Sequence, residues 1–215
     1  MKKLAIFDLD GTLIDSLPDI AYNVNATLTH FGLDALSTKK IKTLIGGGAK
    51  NLIFDAFGGN LTDTELAEKL EYYNNAYSKS TSPLTKLFSG VKEMLFELKN
   101  RGYIIAVLSN KPNRTVQPIK NGLLKGLPID KVQGACEEYP LKPNPQGAIN
   151  MCKSLNVNPE NAYMIGDGET DVITAIKAGM KGVAVLWGYR TKNQLQSAGA
   201  TTFALVTQDI LKVLN

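Results

Sequence analysis

The chain has 215 residues, with 24 Lys and Arg against 20 Asp and Glu, a formal net charge of +4 and a 44% hydrophobic content. That composition belongs to a soluble globular protein with one sizeable core and a modest second module, and it leaves no room for two large independent domains. The basic residues form no run or block, which argues against a nucleic-acid partner, and no apolar stretch approaches the roughly 20 residues of a membrane helix.

Leu4–Phe7 is a short apolar run cut off by aspartates and Gly11. A leader peptide needs roughly 7–15 apolar residues, so this run reads as a buried strand meeting a turn. From about Ser16 to Leu84 the periodicity is helical only. It covers Ile20–Phe31, Thr38–Leu44, Ala49–Phe57 and Asp63–Tyr77, punctuated by Gly46-Gly47-Gly48, Gly58-Gly59 and the polar segment Ser78–Pro83. Beyond it, short apolar runs (Tyr103–Leu108, Ala162–Ile165, Gly182–Leu186 and Thr202–Val206) alternate with helical patterns at Gly90–Arg101, Pro112–Lys125, Pro145–Leu155 and Glu169–Gly179. The alternation predicts an α/β fold with a doubly wound parallel sheet. Residues 1–15 and 85–215 are expected to form that unit, with 16–84 inserted as an all-helical module.

The two cysteines, Cys136 and Cys152, lack any metal-binding spacing, and free thiols in a cytoplasmic protein are the default expectation, with one disulfide left open. His30 is the only histidine, so catalysis is expected to proceed without a histidine base.

In a parallel α/β sheet, functional groups gather at the carboxyl ends of the strands. Asp8-Leu9-Asp10-Gly11-Thr12 follows the first strand; it is either a turn closing that strand or an acid pair held around a hard cation. Ser109-Asn110-Lys111-Pro112 follows another, as a helix cap or as an anion site at a helix start. Lys142 stands before Pro143 and precedes a helix, as a solvated loop residue or as a fixed charge for a phosphate. Gly166 to Asp171 places Asp167, Glu169 and Asp171 at a helix start, where the dipole favours acids, although three exceed what a cap needs.

Taken in order, these clusters resemble the four motifs of the haloacid-dehalogenase-like (HAD) phosphatases. DxDGT spans Asp8 to Thr12, Ser109-Asn110 ends an apolar strand, Lys142 precedes a proline, and GDxxxD spans Gly166 to Asp171. The resemblance covers the whole chain and identifies the helical insert with the family's cap on a HAD-like Rossmannoid core. FDLDGTLIDS, SNKP and the stretch from Gly166 to Gly179 look most like the phosphoglycolate phosphatase branch.

The resemblance implies roles that physical chemistry supports. Asp8 is the expected nucleophile, giving an aspartyl-phosphate, and Asp10 the general acid and base. Mg2+ is expected on the Asp8 carboxylate, the Asp10 carbonyl and Asp167, with Asp171 paired to Lys142 behind it. Ser109, the Asn110 amide and Lys142 are expected to hold the phosphoryl oxygens. Gly47, Gly48 and Lys50 are candidates for substrate selection, with Lys111, Arg114 and Arg190 behind them. The stretch is not a nucleotide P-loop, since Asn51 stands where Ser or Thr is required.

The expected substrate is a small anionic phosphate ester, best matched by 2-phosphoglycolate, in a monomer or homodimer with no membrane association. A sugar phosphomutase or a pyrophosphatase would use the same pair of aspartates. A receiver-like signalling domain or a non-catalytic phosphate-binding module are readings from another class. The helical insert and the retained Asp8 and Asp10 speak against both. A phosphonoacetaldehyde hydrolase would lack the acid at the Asp10 position.

Overall fold

The computed structural model describes residues 2–79 and 83–214. Strand β1 (Lys3–Phe7) lies mid-sheet between β4 (Tyr103–Pro112) and β6 (Ala162–Gly166), with every neighbouring pair in that sheet parallel. Strand β5 (Lys131–Ala135) lies outside β4, while β7 (Lys181–Val185) and β8 (Phe203–Ala204) complete the other wing. Leu4, Ala5, Ile6 and Phe7 are all fully buried. A strand covered on both faces must be apolar at consecutive positions, which is why this run does not alternate.

The period of two still sorts the side chains. Ala5 and Phe7 pack into a core with Met94, Leu95 and Leu98 of α5 (Val91–Asn100), whereas Leu4 and Ile6 pack with Ala148 and Met151 of α7 (Gln146–Ser154). Each fully buried aliphatic or Phe side chain contributes roughly 1.5–3 kcal/mol of transfer free energy, so both layers are needed to hold β1 in place. Because β4 and β6 flank β1 on opposite sides, the carboxyl ends of all three meet at the point where the strand order reverses.

The chain leaves the sheet through β2 (Ile14–Asp15) and returns through β3 (Lys86–Leu87), which pair with each other antiparallel. Between them lie α1 (Leu17–His30), α2 (Thr38–Leu44), α3 (Gly48–Ala56) and α4 (Asp63–Lys79). These helices share an apolar cluster of their own, including Val24, Leu28, Ile41 and Ile53. Of the polar connector expected at Ser78–Pro83, residues 80–82 lie outside the described residues. No helix among those described is long and apolar enough to cross a membrane. Cys136 and Cys152 are both free thiols.

Several boundaries differ from the sequence expectation. Strand β4 does not stop at Leu108; it continues to Pro112 because Ser109 and Pro112 pair with Gly134 and Ala135 of β5. That partner strand, half polar and at the sheet edge, carries no apolar run to announce it. Helix α6 (Asn113–Asn121) is correspondingly shorter than Pro112–Lys125 and ends at Gly122. Helix α8 (Glu169–Ala178) ends as expected, with Gly179 in the left-handed region at φ 67°. Helices α9 (Lys192–Ser197) and α10 (Thr207–Val213) were not anticipated.

Candidate active site

Asp8 is the first residue beyond β1, and its N–H donates to the carbonyl of Ile165 on β6 at 2.8 Å, so the sheet ladder fixes its backbone. The chain then turns tightly, with the N–H groups of Leu13 and Ile14 both donating to the Leu9 carbonyl. Gly11 carries this turn at φ +83°, and a Cβ there would overlap the Asp167 carboxylate. Glycine is therefore required twice, for the left-handed backbone and for the close approach. Thr12 Oγ1 donates to Asp167 Oδ1 at 3.0 Å, so the tail of the DxDGT turn orients an acid 155 positions away.

On the other side of Asp8, the Lys142 ammonium lies 2.8 Å from Asp8 Oδ1 and 2.6 Å from Asp171 Oδ1. The loop that presents it is clamped by Asn110. Lys142 N–H donates to Asn110 Oδ1 at 2.7 Å, while Asn110 Nδ2 donates to the Lys142 carbonyl and to the Gly46 carbonyl. The Asn110 side chain is thus spent on scaffolding. Ser109 and Asn110 lie within strand β4 and do not cap α6, whose N-cap is Pro112.

The GDxxxD loop also differs from a simple cap. Gly168, not Asp167, is the N-cap of α8, and its N–H donates to Asp171 Oδ2 at 3.0 Å. Asp167 instead accepts from Thr12 and from the Tyr189 N–H at 2.8 Å. Glu169 turns away to Arg190 at 2.8 Å, so the third acid of the triplet is spent in a partly buried ion pair outside the cluster.

Asp8, Asp167 and Asp171 are left with carboxylate oxygens all within 4.8 Å of one another. Burial, with repulsion from Asp171 and Asp167, lifts Asp8 well above the usual carboxylate range against the pull of Lys142. Burial and the Asp171 charge push Asp167 up to about 6 against its hydrogen bonds from Tyr189 and Thr12. The buried Asp167 and Asp171 and the partly buried Asp8, with one lysine among them, form an all-oxygen, electron-rich donor set suited to a hard divalent cation, which would relieve the excess charge.

Asp10 points elsewhere. Its Oδ1 accepts from Ser16 Oγ at 2.5 Å and lies 3.3 Å from Lys111 Nζ, so its carboxylate is outside the acidic cluster. It faces a cavity roofed by α1, α3 and α4, in which Asp8, Asp10 and Ser109 meet Gly46, Gly48 and Leu52. Burial disfavours the Lys111 ammonium, yet Asp10, Tyr77 and Tyr73 together hold its pKa above the ordinary lysine value.

This arrangement can be set against known proteins. The family model described as "Haloacid dehalogenase-like hydrolase" matches residues 5–185. The chain belongs to the haloacid dehalogenase-like hydrolases. A phosphoglycolate phosphatase of Haemophilus influenzae (strain 86-028NP) is 36% identical over 194 residues, covering 87% of each chain. Another, from Mannheimia succiniciproducens, is 33% identical over 223 residues, covering 99% of this chain and 98% of the relative. Among solved structures, that of a predicted phosphoglycolate phosphatase from Haemophilus somnus 129pt superposes with a TM-score of 0.87 at 30% identity, over 100% of this chain and 98% of that one. A Lactobacillus delbrueckii subsp. bulgaricus protein reaches a TM-score of 0.92 at 28% identity, over 100% and 99%.

Within this haloacid dehalogenase-like hydrolase, the expected residues Asp8, Asp10, Ser109, Lys142, Asp167 and Asp171 all converge at the three strand ends. The helical candidates fare unequally. Gly48 lines the cavity, Gly47 does not, and Lys50 is exposed away from it. Arg114 is exposed as well. Lys111 lines the cavity in place of Lys50, and Arg190 binds the carbonyls of Lys42 and Ile45. Sequence reading missed Thr12, Ser16, Tyr77 and Tyr189. Thr12 is signalled by its motif; Tyr189 reaches Ser16 across 173 positions, and no local spacing reveals that.

Proposed function

We propose that this hydrolase is a Mg2+-dependent phosphatase of small phosphate monoesters, with 2-phosphoglycolate as the leading substrate, acting through an aspartyl-phosphate on Asp8. The relatives described as phosphoglycolate phosphatases, similar over most of the chain, support the substrate class. The observation that carries the mechanism is the setting of Asp8. Its Oδ1 is held by Lys142 and by the Leu9 N–H at 2.7 Å, which leaves Oδ2 as the attacking atom.

In this reading Asp8 Oδ2 displaces the alkoxide at phosphorus, forming the acyl phosphate, and Asp10 protonates the departing oxygen. Asp10 then takes a proton from the water that hydrolyses the intermediate. Lys142, Ser109 and the Asn110 amide stabilise the phosphoryl oxygens. Asp8, Asp167 and the Asp10 carbonyl would hold Mg2+, with Asp171 paired to Lys142 behind them; the ion supplies neutralisation of phosphoryl charge. Residues 1–15 and 85–215 are the catalytic core and 16–84 its cap, the antiparallel pairing of Ile14–Asp15 with Lys86–Leu87 marking the junction.

The test is hydrolysis of p-nitrophenyl phosphate and 2-phosphoglycolate with Mg2+ and with chelator, alongside pyrophosphate and hexose phosphates. Turnover is expected to require the cation, to vanish in Asp8→Asn, and to fall about 10²–10⁴-fold in Asp10→Ala with Mg2+ binding retained. Metal-dependent turnover by Asp8→Asn would overturn the nucleophile assignment.

A further inference from the structure

The cavity beyond Asp8 and Asp10 has a polar side that the phosphoryl chemistry does not use. Lys111 is the one cation among the described residues that line it, and only 9% of that residue is exposed. Its ammonium lies 3.3 and 3.4 Å from the two Asp10 oxygens, longer than the roughly 2.7–2.9 Å of a well-made charge-assisted bond. It also donates to Tyr77 Oη at 3.0 Å. Asp10 in turn is shared with Ser16 Oγ at 2.5 Å, so neither member of the pair is matched to the other alone.

Two further polar side chains line the same cavity. Thr115 is 5% exposed, and its buried hydroxyl has no hydrogen-bond partner among the described residues. Asn74 is 6% exposed and lines the cavity from α4. Burying the Thr115 hydroxyl without a partner costs free energy. The rest of the wall is apolar, with Ile20, Ile45 and Leu52 prominent. A short ligand ending in a compact anion would meet the Lys111 ammonium with a charge-assisted bond and offer the Thr115 hydroxyl an acceptor.

We propose that Lys111, Thr115 and Asn74 form a second anion subsite that takes a carboxylate on the leaving group, so that the substrates are phosphorylated small hydroxy acids. This rests on the phosphatase reading above and adds the residues that choose the ester.

The experiment compares kcat/KM for 2-phosphoglycolate with that for 2-hydroxyethyl phosphate, which has the same skeleton with a hydroxymethyl group in place of the carboxylate. The wild type is expected to favour the carboxylate by about 10- to 150-fold, the size of a hydrogen bond to a charged group. In Lys111→Met that ratio should collapse to within about 3-fold of unity, and in the near-isosteric Thr115→Val it should fall by about 3- to 10-fold. Thermal melts establish that each variant is folded, and the wild-type ratio tests the subsite without any variant. Equal efficiency of the wild type on both esters overturns the subsite while leaving the phosphatase reading intact. So does a ratio that survives Lys111→Met while both rates fall together. Absence of Mg2+-dependent hydrolysis of both esters and of p-nitrophenyl phosphate would remove both readings.

Discussion

Lys142 Nζ lies 2.6 Å from Asp171 Oδ1, with the two side chains only 1% and 2% exposed. The same ammonium is 2.8 Å from Asp8, so one buried cation answers two carboxylates while Asp167 adds a third nearby. Removing one partner of a buried pair leaves the other uncompensated. Lys142→Met is therefore expected to lower the stability of the metal-free protein by about 3–5 kcal/mol, read as a lowered urea midpoint. An unchanged midpoint would show that the pair adds nothing to the fold.

The raised Asp167 carboxyl makes stability depend on pH. Its pKa is 3.8 in the reference state and about 6 in the fold, so the folded protein holds the proton more tightly. The stabilisation is complete below pH 3.8 and is lost as pH rises through 6, and the Asp8 shift acts in the same direction. In chelator, the melting temperature of the wild type relative to Asp167→Asn should fall across that window, by on the order of 3 kcal/mol in free energy. Added Mg2+ should stabilise most above the window, where the Asp167 carboxyl is ionised. A flat difference between the two proteins would contradict the assignment.

Gly11 and Asp167 are in contact through a glycine that cannot be replaced without displacing the acid. Gly11→Ala adds a strained left-handed backbone and pushes the carboxylate aside. If Asp167 holds the cation as proposed, a displacement of about 1 Å costs on the order of 10²-fold in rate. Activity is expected to drop at least that far and Mg2+ affinity to weaken, measured by steady-state kinetics and calorimetric titration. Normal values for both would mean that the loop relaxes around the added methyl.

Tyr189 offers the converse case. Its N–H holds Asp167, while its hydroxyl accepts from the N–H groups of Ser16 and Leu17, each at 3.1 Å. Tyr189→Phe keeps the first contact and strips the second. Stability should fall by about 1–3 kcal/mol for the orphaned Ser16 N–H, the Leu17 N–H keeping Asp15 Oδ1 at 3.4 Å, seen in denaturant unfolding, with Mg2+ affinity unchanged. Weakened Mg2+ binding would show that the hydroxyl, not the main chain, sets the Asp167 position.

The doubly wound sheet was legible because strands buried on both faces must be continuously apolar, as Leu4–Phe7 and Ala162–Ile165 are. Edge strand β5 was not, since a half-polar run such as Lys131–Ala135 looks like a loop until its partner is known. For the same reason Ser109 looked like a helix cap: only pairing with Gly134 makes it a strand residue.

The residue types of the site were likewise written in the chain. Asp8, Asp10, Asp167 and Lys142 follow or precede recognisable elements, and parallel topology sends such positions to one edge. What tertiary structure alone decided is how the charges are shared. It set Lys142 between Asp8 and Asp171, sent Asp10 to Ser16 and Lys111, and turned Glu169 out to Arg190. It also put Lys111 rather than Lys50 in the cavity. Coulombic pairing acts through a few ångströms of space, and local sequence periodicity carries no information about which distant side chains will occupy that space.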